Sequence, residues 1–359
     1  MKILILSGAF GMGHNAVATA IRQEIDESGR TNEVSIIDLI QYIYPERSKV
    51  LYNMFNLVAA KYHGVYNFIN KSFEKLNPIE RIPAEAIHRV EQLMKDHEPD
   101  MIICTLPLCA KIISDYKKKM GSQIPMATCI TDISTHKAWF NDGCDVYFVP
   151  TRSVKEKMLA RGMEENRIYV TGIPVREEFV SPRPEGALPR MAKREILIMG
   201  GGLGLLPDID GLLKSIGDSE DTHVTIITGN NKKAYESLHG KYKDVEVVGF
   251  TDRVSDYMRR ADLLISKAGG ITVFEALATQ TPMLVIKPFL EQEQRNARYI
   301  QRNGLGKVFW EKPPMSQIRN LIHNEVEQKR IQRNMGEAKD RVEVSVSDIV
   351  MAYKEGMSA

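Results

Sequence analysis

Apolar residues along this chain gather into short, nearly continuous runs, six in each half. The first half carries KILILSG, EVSIIDL, MIICTL, PMATCIT, VYFVP and IYVTG; the second carries EILIMGGG, HVTIITG, VEVVGF, DLLISKAG, PMLVIKP and GKVF. Within a run the apolar positions do not alternate with polar ones. That pattern predicts strands buried on both faces of a parallel sheet. Amphipathic stretches such as 152–161 and 271–279 separate the runs and predict helices. Strand-helix alternation of this kind predicts a doubly wound α/β sheet. It runs to about Gly172 and restarts near Arg194, and the interval REEFVSPRPEGALPRMAKR, rich in proline and charge, reads as a linker. The expected architecture is two tandem Rossmann-like domains with a central cleft. They cover residues 1–176 and 177–339, and the C-terminal helix, 340–359, is able to pack back on the first. Ligands of open α/β sheets bind beyond the carboxyl ends of the strands, so two such edges facing one another make one deep site.

One segment departs from the alternation. SKVLYNMFNLVAAKYHGVYNFINKSFEKL has no buried-strand signal, and Leu51, Met54, Phe55, Val58 and Tyr62 fall at helical spacing. Two readings stand. One is an amphipathic helix pair packed on the first domain. The other is a surface for an anionic membrane, with Lys49, Tyr52, Phe55, Tyr62, Tyr66 and Phe68 at headgroup depth.

Composition narrows the class only a little. The chain has 359 residues and a net charge of +2, so nothing global calls for nucleic acid as a partner. Cys104, Cys109, Cys129 and Cys144 form no CxxC pair or metal spacing; they read as reduced core residues of a cytoplasmic protein. The N-terminus reads directly as a strand with no leader, and no apolar stretch approaches the roughly 20 residues that span a bilayer. Membrane contact is therefore expected to be peripheral, on the inner face of the cell membrane.

The candidate chemistry lies in three glycine loops, each directly after a predicted strand. SGAFGMGHNAVATAI places Gly8, Gly11, Gly13 and His14 at the mouth of a helix. The glycine order is not the G-x-G-x-x-G dinucleotide fingerprint, and Asp38 is the acidic candidate at the end of the second strand. MGGGLGLL follows the first strand of the second half. SKAGGITVFEAL follows another, with Gly269 and Gly270 opening a helix whose first turns carry Thr272 and Glu275. Bare backbone N–H groups at a helix start can hold a diphosphate, and a carboxylate one turn on can accept two ribose hydroxyls. The alternative for Glu275 is a solvated helix residue.

The string SKAGGITVFEALATQTPMLVIKPFLEQEQRNARYI resembles the nucleotide-sugar signature of the two-domain (GT-B) glycosyltransferases that include the peptidoglycan lipid-intermediate GlcNAc transferase. SGAFGMGHNAVATAI, TDISTHKAWFNDGCDVYFVPT and VTGIPVREEF look like the motifs of bacterial diacylglycerol glucosyltransferases and plant monogalactosyldiacylglycerol synthases. The resemblance covers nearly the whole chain, in order. It implies that His14, after Gly13 of the loop, is the general base and that Arg176 lies near the nucleotide. Gly201 and Gly202 fall in the phosphate loop, and Phe250 falls where backbone reads the uracil. Gly270, Ile271 and Thr272 match the diphosphate-binding helix start, and Glu275 matches the ribose carboxylate. Gln292 and Glu293 match a pair that contacts the sugar hydroxyls. Relatives commonly carry Pro-Gly before that pair, whereas this chain has PFLEQE, which leaves the identity of the sugar open.

The implied reaction is transfer of a hexose with inversion from a UDP-sugar, UDP-glucose favoured over UDP-galactose, to the hydroxyl of 1,2-diacylglycerol. It needs a base for the alcohol proton and charge stabilisation on the leaving diphosphate. Histidine suits the first task. Helix N-termini and Arg176 suit the second, and no Asp-x-Asp motif stands at a strand end, so neither metal nor cofactor is expected. Asp132 and His136 are candidates for the acceptor side or for orienting His14, and Trp139 reads as packing. Other readings are a polyprenyl-linked or soluble acceptor, a non-catalytic UDP-sugar-binding regulator, and a sugar-nucleotide epimerase.

Overall fold

The structure is a computed structural model. It describes all residues except 30–32, 62–63, 65, 68–81, 183–185, 190–191, 203, 205, 217–220, 312–314, 340 and 356–359. Each of the apolar runs forms a strand, and the chain separates into two compact units. Met1–Glu177 with Val342–Ala359 makes the first, and Glu178–Arg341 makes the second.

Unit 1 is a six-stranded parallel sheet in the order β2-β1-β3-β4-β5-β6. Its strands are β1 (Lys2–Ser7), β2 (Glu33–Asp38), β3 (Met101–Cys104), β4 (Met126–Cys129), β5 (Val146–Val149) and β6 (Ile168–Val170). Every residue of β3, β4 and β5 is buried, which is why these runs show no polar alternation. All four cysteines are free and buried. The order reverses between β1 and β3, so the loops that leave these two strands lie side by side at the carboxyl edge. Helix α1 (Gly13–Glu27) follows β1, and α2 (Pro45–Lys61) covers part of the 45–75 segment.

Unit 2 is also six-stranded and parallel, in the order β12-β11-β10-β7-β8-β9. The strands are β7 (Arg194–Met199), β8 (Thr222–Ile227), β9 (Val245–Val248), β10 (Leu263–Ser266), β11 (Met283–Ile286) and β12 (Gly306–Phe309). Here the order reverses between β7 and β10, the two strands that lead into glycine loops. Helix α3 (Gly270–Thr279) follows β10, and α4 (Glu291–Arg302) follows β11. Arg260, almost fully buried, pairs with buried Glu195 on β7 and with Glu246 on β9. The C-terminal helix α5 (Val346–Lys354) belongs to unit 1. Its N-terminus docks on α1, where Ser347 N–H donates to Glu24 Oε1 at 2.9 Å.

Candidate active site

The loop after β1 is built for close approach. A side chain at Gly8 would place its Cβ 3.0 Å from Leu106 Cδ2, and Gly11 has φ +82°, a region that L side chains rarely adopt. The loop delivers Gly13 and His14 to the first turn of α1. His14 Nδ1 lies 2.8 Å from the Thr105 carbonyl oxygen and 3.0 Å from Thr131 Oγ1. A carbonyl can only accept, so Nδ1 carries the proton and Nε2 is left with its lone pair. Burial pushes the His14 pKa down to about 4, against the opposing pull of the bond to Thr105. The imidazole is therefore neutral at ordinary pH, in the tautomer of a proton acceptor.

Thr105 follows β3 and Thr131 follows β4, and neither was among the residues expected to hold His14. The expected pair, Asp132 and His136, stands in the loop that follows Thr131. Asp132 Oδ1 accepts from Trp139 Nε1 at 3.0 Å and from Ser134 Oγ at 2.9 Å. His136 is buried, and its Nδ1 accepts from Ala138 N–H at 3.2 Å, capping the short turn Lys137–Trp139. These residues shape the loop that sets the buried Trp139 ring 6.5 Å from the His14 ring. Asp38 caps the helix Leu39–Ile43 and accepts from the Tyr52 hydroxyl, so its carboxylate is committed to the fold.

The described part of the aromatic segment has two apolar sides. Tyr52 and Phe55 are partly buried, and each packs edge-to-face on Phe10 of the His14 loop, at centroid distances of 4.9 and 5.0 Å. Tyr66 packs in turn on Phe55 at 5.6 Å. The exposed apolar side of α2 is Val50, Leu51, Met54 and Leu57, with Lys49 exposed beside it. Helical spacing alone merged these two faces, because apolar side chains lie on both. Tyr62 and Phe68 lie outside the described residues.

In unit 2 the glycine loops meet at the carboxyl edge. Gly201 has φ +69°, and a Cβ at Gly229 would lie 2.8 Å from the Gly202 carbonyl oxygen. Ser266 Oγ donates to Met199 O at 2.8 Å and ties β10 to β7 at their ends. Gly270 and Ile271 open α3 with their N-terminal N–H groups, and Thr272 and Glu275 are buried on that helix. Glu275 is thus not a solvated helix residue. Phe250, after β9, is exposed and lines a surface depression with Gly229, Tyr235 and Gly249. On α4, Gln292 is partly exposed, whereas Glu293 is buried. Glu293 Oε2 accepts from Leu290 N–H at 3.5 Å, and its Oε1 lies 3.4 Å from Lys267 Nζ. Arg176 belongs to unit 1, in the segment after β6, where Glu177 N–H donates to Gln23 of α1 at 3.0 Å. The residues expected around the donor are therefore divided between the units. Among the described residues no group of three His, Cys, Asp or Glu side chains is placed to hold a metal ion, and no helix is long and apolar enough to cross a membrane.

Comparison with known proteins follows the same division. Residues 14–175 match the family described as monogalactosyldiacylglycerol (MGDG) synthase, and residues 196–349 match the glycosyltransferase family 28 C-terminal domain. A processive diacylglycerol beta-glucosyltransferase of Bacillus licheniformis is 32% identical over 326 residues, which is 86% of this chain and 82% of that protein. One of Staphylococcus epidermidis is 30% identical over 326 residues, 86% of this chain and 81% of that protein. Among solved structures, Acinetobacter baumannii MurG aligns over 99% of this chain and 100% of its own, with TM-score 0.61 and 15% identity. The UDP-GlcNAc 2-epimerase of Neisseria meningitidis aligns over the same shares with TM-score 0.60 and 15% identity. These structures share the fold, and the two sequence relatives identify the chemistry class. The chain, with its MGDG synthase match followed by its family 28 C-terminal match, belongs to the diacylglycerol glucosyltransferase family.

Proposed function

We propose that this enzyme transfers glucose from UDP-glucose to the free hydroxyl of 1,2-diacylglycerol, with inversion at the anomeric carbon. The observation that carries the reading is His14, neutral and with Nε2 left as acceptor by the Nδ1 contact to Thr105. In the step, the acceptor oxygen forms a bond to the anomeric carbon while the bond from that carbon to the β-phosphate oxygen breaks. The hydroxyl proton passes to His14 Nε2, and UDP departs with one more negative charge.

Unit 2 holds the donor in this reading. The N–H groups of Gly270, Ile271 and Thr272 meet the diphosphate, Gly201 and Gly202 admit it to bare backbone, and Glu275 takes the ribose hydroxyls. The backbone at Phe250 meets the uracil, and partly exposed Gln292 reaches the sugar hydroxyls. Arg176 and the start of α3 supply positive charge, so the reaction runs without a metal. Asp132 and His136 shape the acceptor side through Trp139.

The acceptor is a lipid, and α2 gives it a route. Val50, Leu51, Met54 and Leu57 present apolar surface to a bilayer, with Lys49 for anionic headgroups. The protein then adsorbs reversibly as a peripheral membrane enzyme. The inner face of Tyr52 and Phe55 carries the adsorbed helix on Phe10 of the catalytic loop. Incubation with UDP-glucose and diacylglycerol in mixed vesicles, followed by mass spectrometry of the lipid, tests the reading. A hexose-bearing diacylglycerol supports it. Turnover of a UDP-sugar without transfer, or transfer only to a soluble acceptor, contradicts it.

A further inference from the structure

Lys267 directly follows β10, with Ala268 between it and the glycines that open α3. Its stem lies along the other glycine loop: a Cβ built on Gly201 would be 3.3 Å from Lys267 Cε. The ammonium is 3.4 Å from Glu293 Oε1, and only 30% of the side chain is exposed. Glu293 itself is 5% exposed, and its second oxygen is turned to the backbone N–H of Leu290. Beside it on α4, buried Asn296 donates to the Ala268 carbonyl at 2.8 Å. Two consecutive residues of the loop, Lys267 and Ala268, are therefore held by α4, one through its charge and the next through its backbone.

We infer that Lys267 is a further cation on the donor's diphosphate, beside Arg176 and the start of α3, and that Glu293 positions it over the glycine loop instead of contacting the transferred sugar. The inference rests on the donor site proposed above. An ammonium carries three N–H donors, so the ion pair with Glu293 leaves donors for phosphate oxygens. As a compact point charge on a flexible stem, lysine is a common phosphate ligand. The position is also the point where the strand order of unit 2 reverses, where loops from β7 and β10 meet. When the anomeric bond breaks, the leaving β-phosphate oxygen gains charge, and a cation already fixed at the loop stabilises it without reorganisation. Glu293 compensates the ammonium while the site is empty, which removes the cost of a lone charge in a partly desolvated place. Glu293 is buried with one oxygen toward Lys267 and the other toward Leu290 N–H, whereas Gln292 is partly exposed, so in this inference the sugar contact falls to Gln292.

Calorimetry of the full chain with UDP and with uridine separates the roles. Lys267→Gln should weaken UDP about 10- to 100-fold, the range for a charge-assisted hydrogen bond to phosphate, and leave uridine within about twofold. Lys267→Arg should restore most of the UDP affinity. Glu293→Gln should weaken UDP and UDP-glucose alike, and the double variant should bind UDP no more weakly than Lys267→Gln, because Glu293 acts through Lys267. Uridine binding by each variant shows that its pocket is folded. Unchanged UDP affinity in Lys267→Gln overturns the inference, as does equal loss of UDP and uridine. Glu293→Gln that weakens UDP-glucose but not UDP returns Glu293 to the sugar. A wild type that binds neither UDP nor uridine overturns the donor site itself, and the inference with it.

Discussion

Acidification reads out the state of His14 directly. An unperturbed histidine has a pKa near 6.5, whereas burial holds His14 at about 4. If its neutral form is the base, activity at pH 5 relative to the plateau should be about 0.9 for a pKa of 4 and about 0.03 for a pKa of 6.5, a difference of about thirtyfold. The assay is kcat/KM for lipid glucosylation between pH 4 and 8, since that ratio reports groups in the free enzyme. The acidic limb should fall well below 6.5. The same shift links to stability with a definite sign. Between pH 6.5 and 4 the unfolded chain binds this proton and the folded chain does not. Stability therefore drops as pH falls through that window, by at most about 3 kcal/mol. A limb centred near 6.5 in a protein shown to be folded at pH 5 would refute the buried, neutral His14.

Three further outcomes follow from the geometry. Glu275→Ala should weaken UDP by about 1.5–3 kcal/mol, as expected for a lost charge-assisted hydrogen bond, and calorimetry giving an unchanged Kd would remove Glu275 from the ribose. Activity should survive EDTA, because helix N-termini and cationic side chains carry the leaving-group charge; loss restored by magnesium or manganese would reveal a metal requirement. Replacing Met54 and Leu57 with Gln should reduce sedimentation with anionic vesicles and leave the thermal midpoint within a few degrees, since both side chains are exposed. A variant that sediments like the wild type would show that the membrane meets another surface.

The strands were legible because sheets buried on both faces write themselves as unbroken apolar runs, as MIIC of β3 and MATC of β4 do. Glycine loops and the helix starts after them were legible for a similar reason, since Gly11 and Gly201 adopt positive φ. Strand order was not. It is the order β1-β3-β4 that brings Thr105 and Thr131 to His14, from positions 91 and 117 residues away along the chain. Lys267 was in plain view within SKAGG, but its nearness to Gly201 depends on β10 lying beside β7. Which side of α2 packs inward was not legible either. Periodicity reports where apolar residues stand on a helix, not which apolar stripe finds a partner, and Phe10, the partner of Tyr52 and Phe55, sits in a loop with no periodicity at all.

In the proposed reaction His14 drives transfer of glucose from UDP-glucose to diacylglycerol. The most direct measurement is the rate of hexosyl-diacylglycerol formation by wild type and His14→Ala, followed by mass spectrometry, with UDP affinity measured on the same two proteins. The expected result is glucosylated lipid from the wild type, a rate lower by about 10²–10⁴-fold in the variant, and UDP binding nearly unchanged. A variant that makes glycolipid at close to the wild-type rate would contradict it.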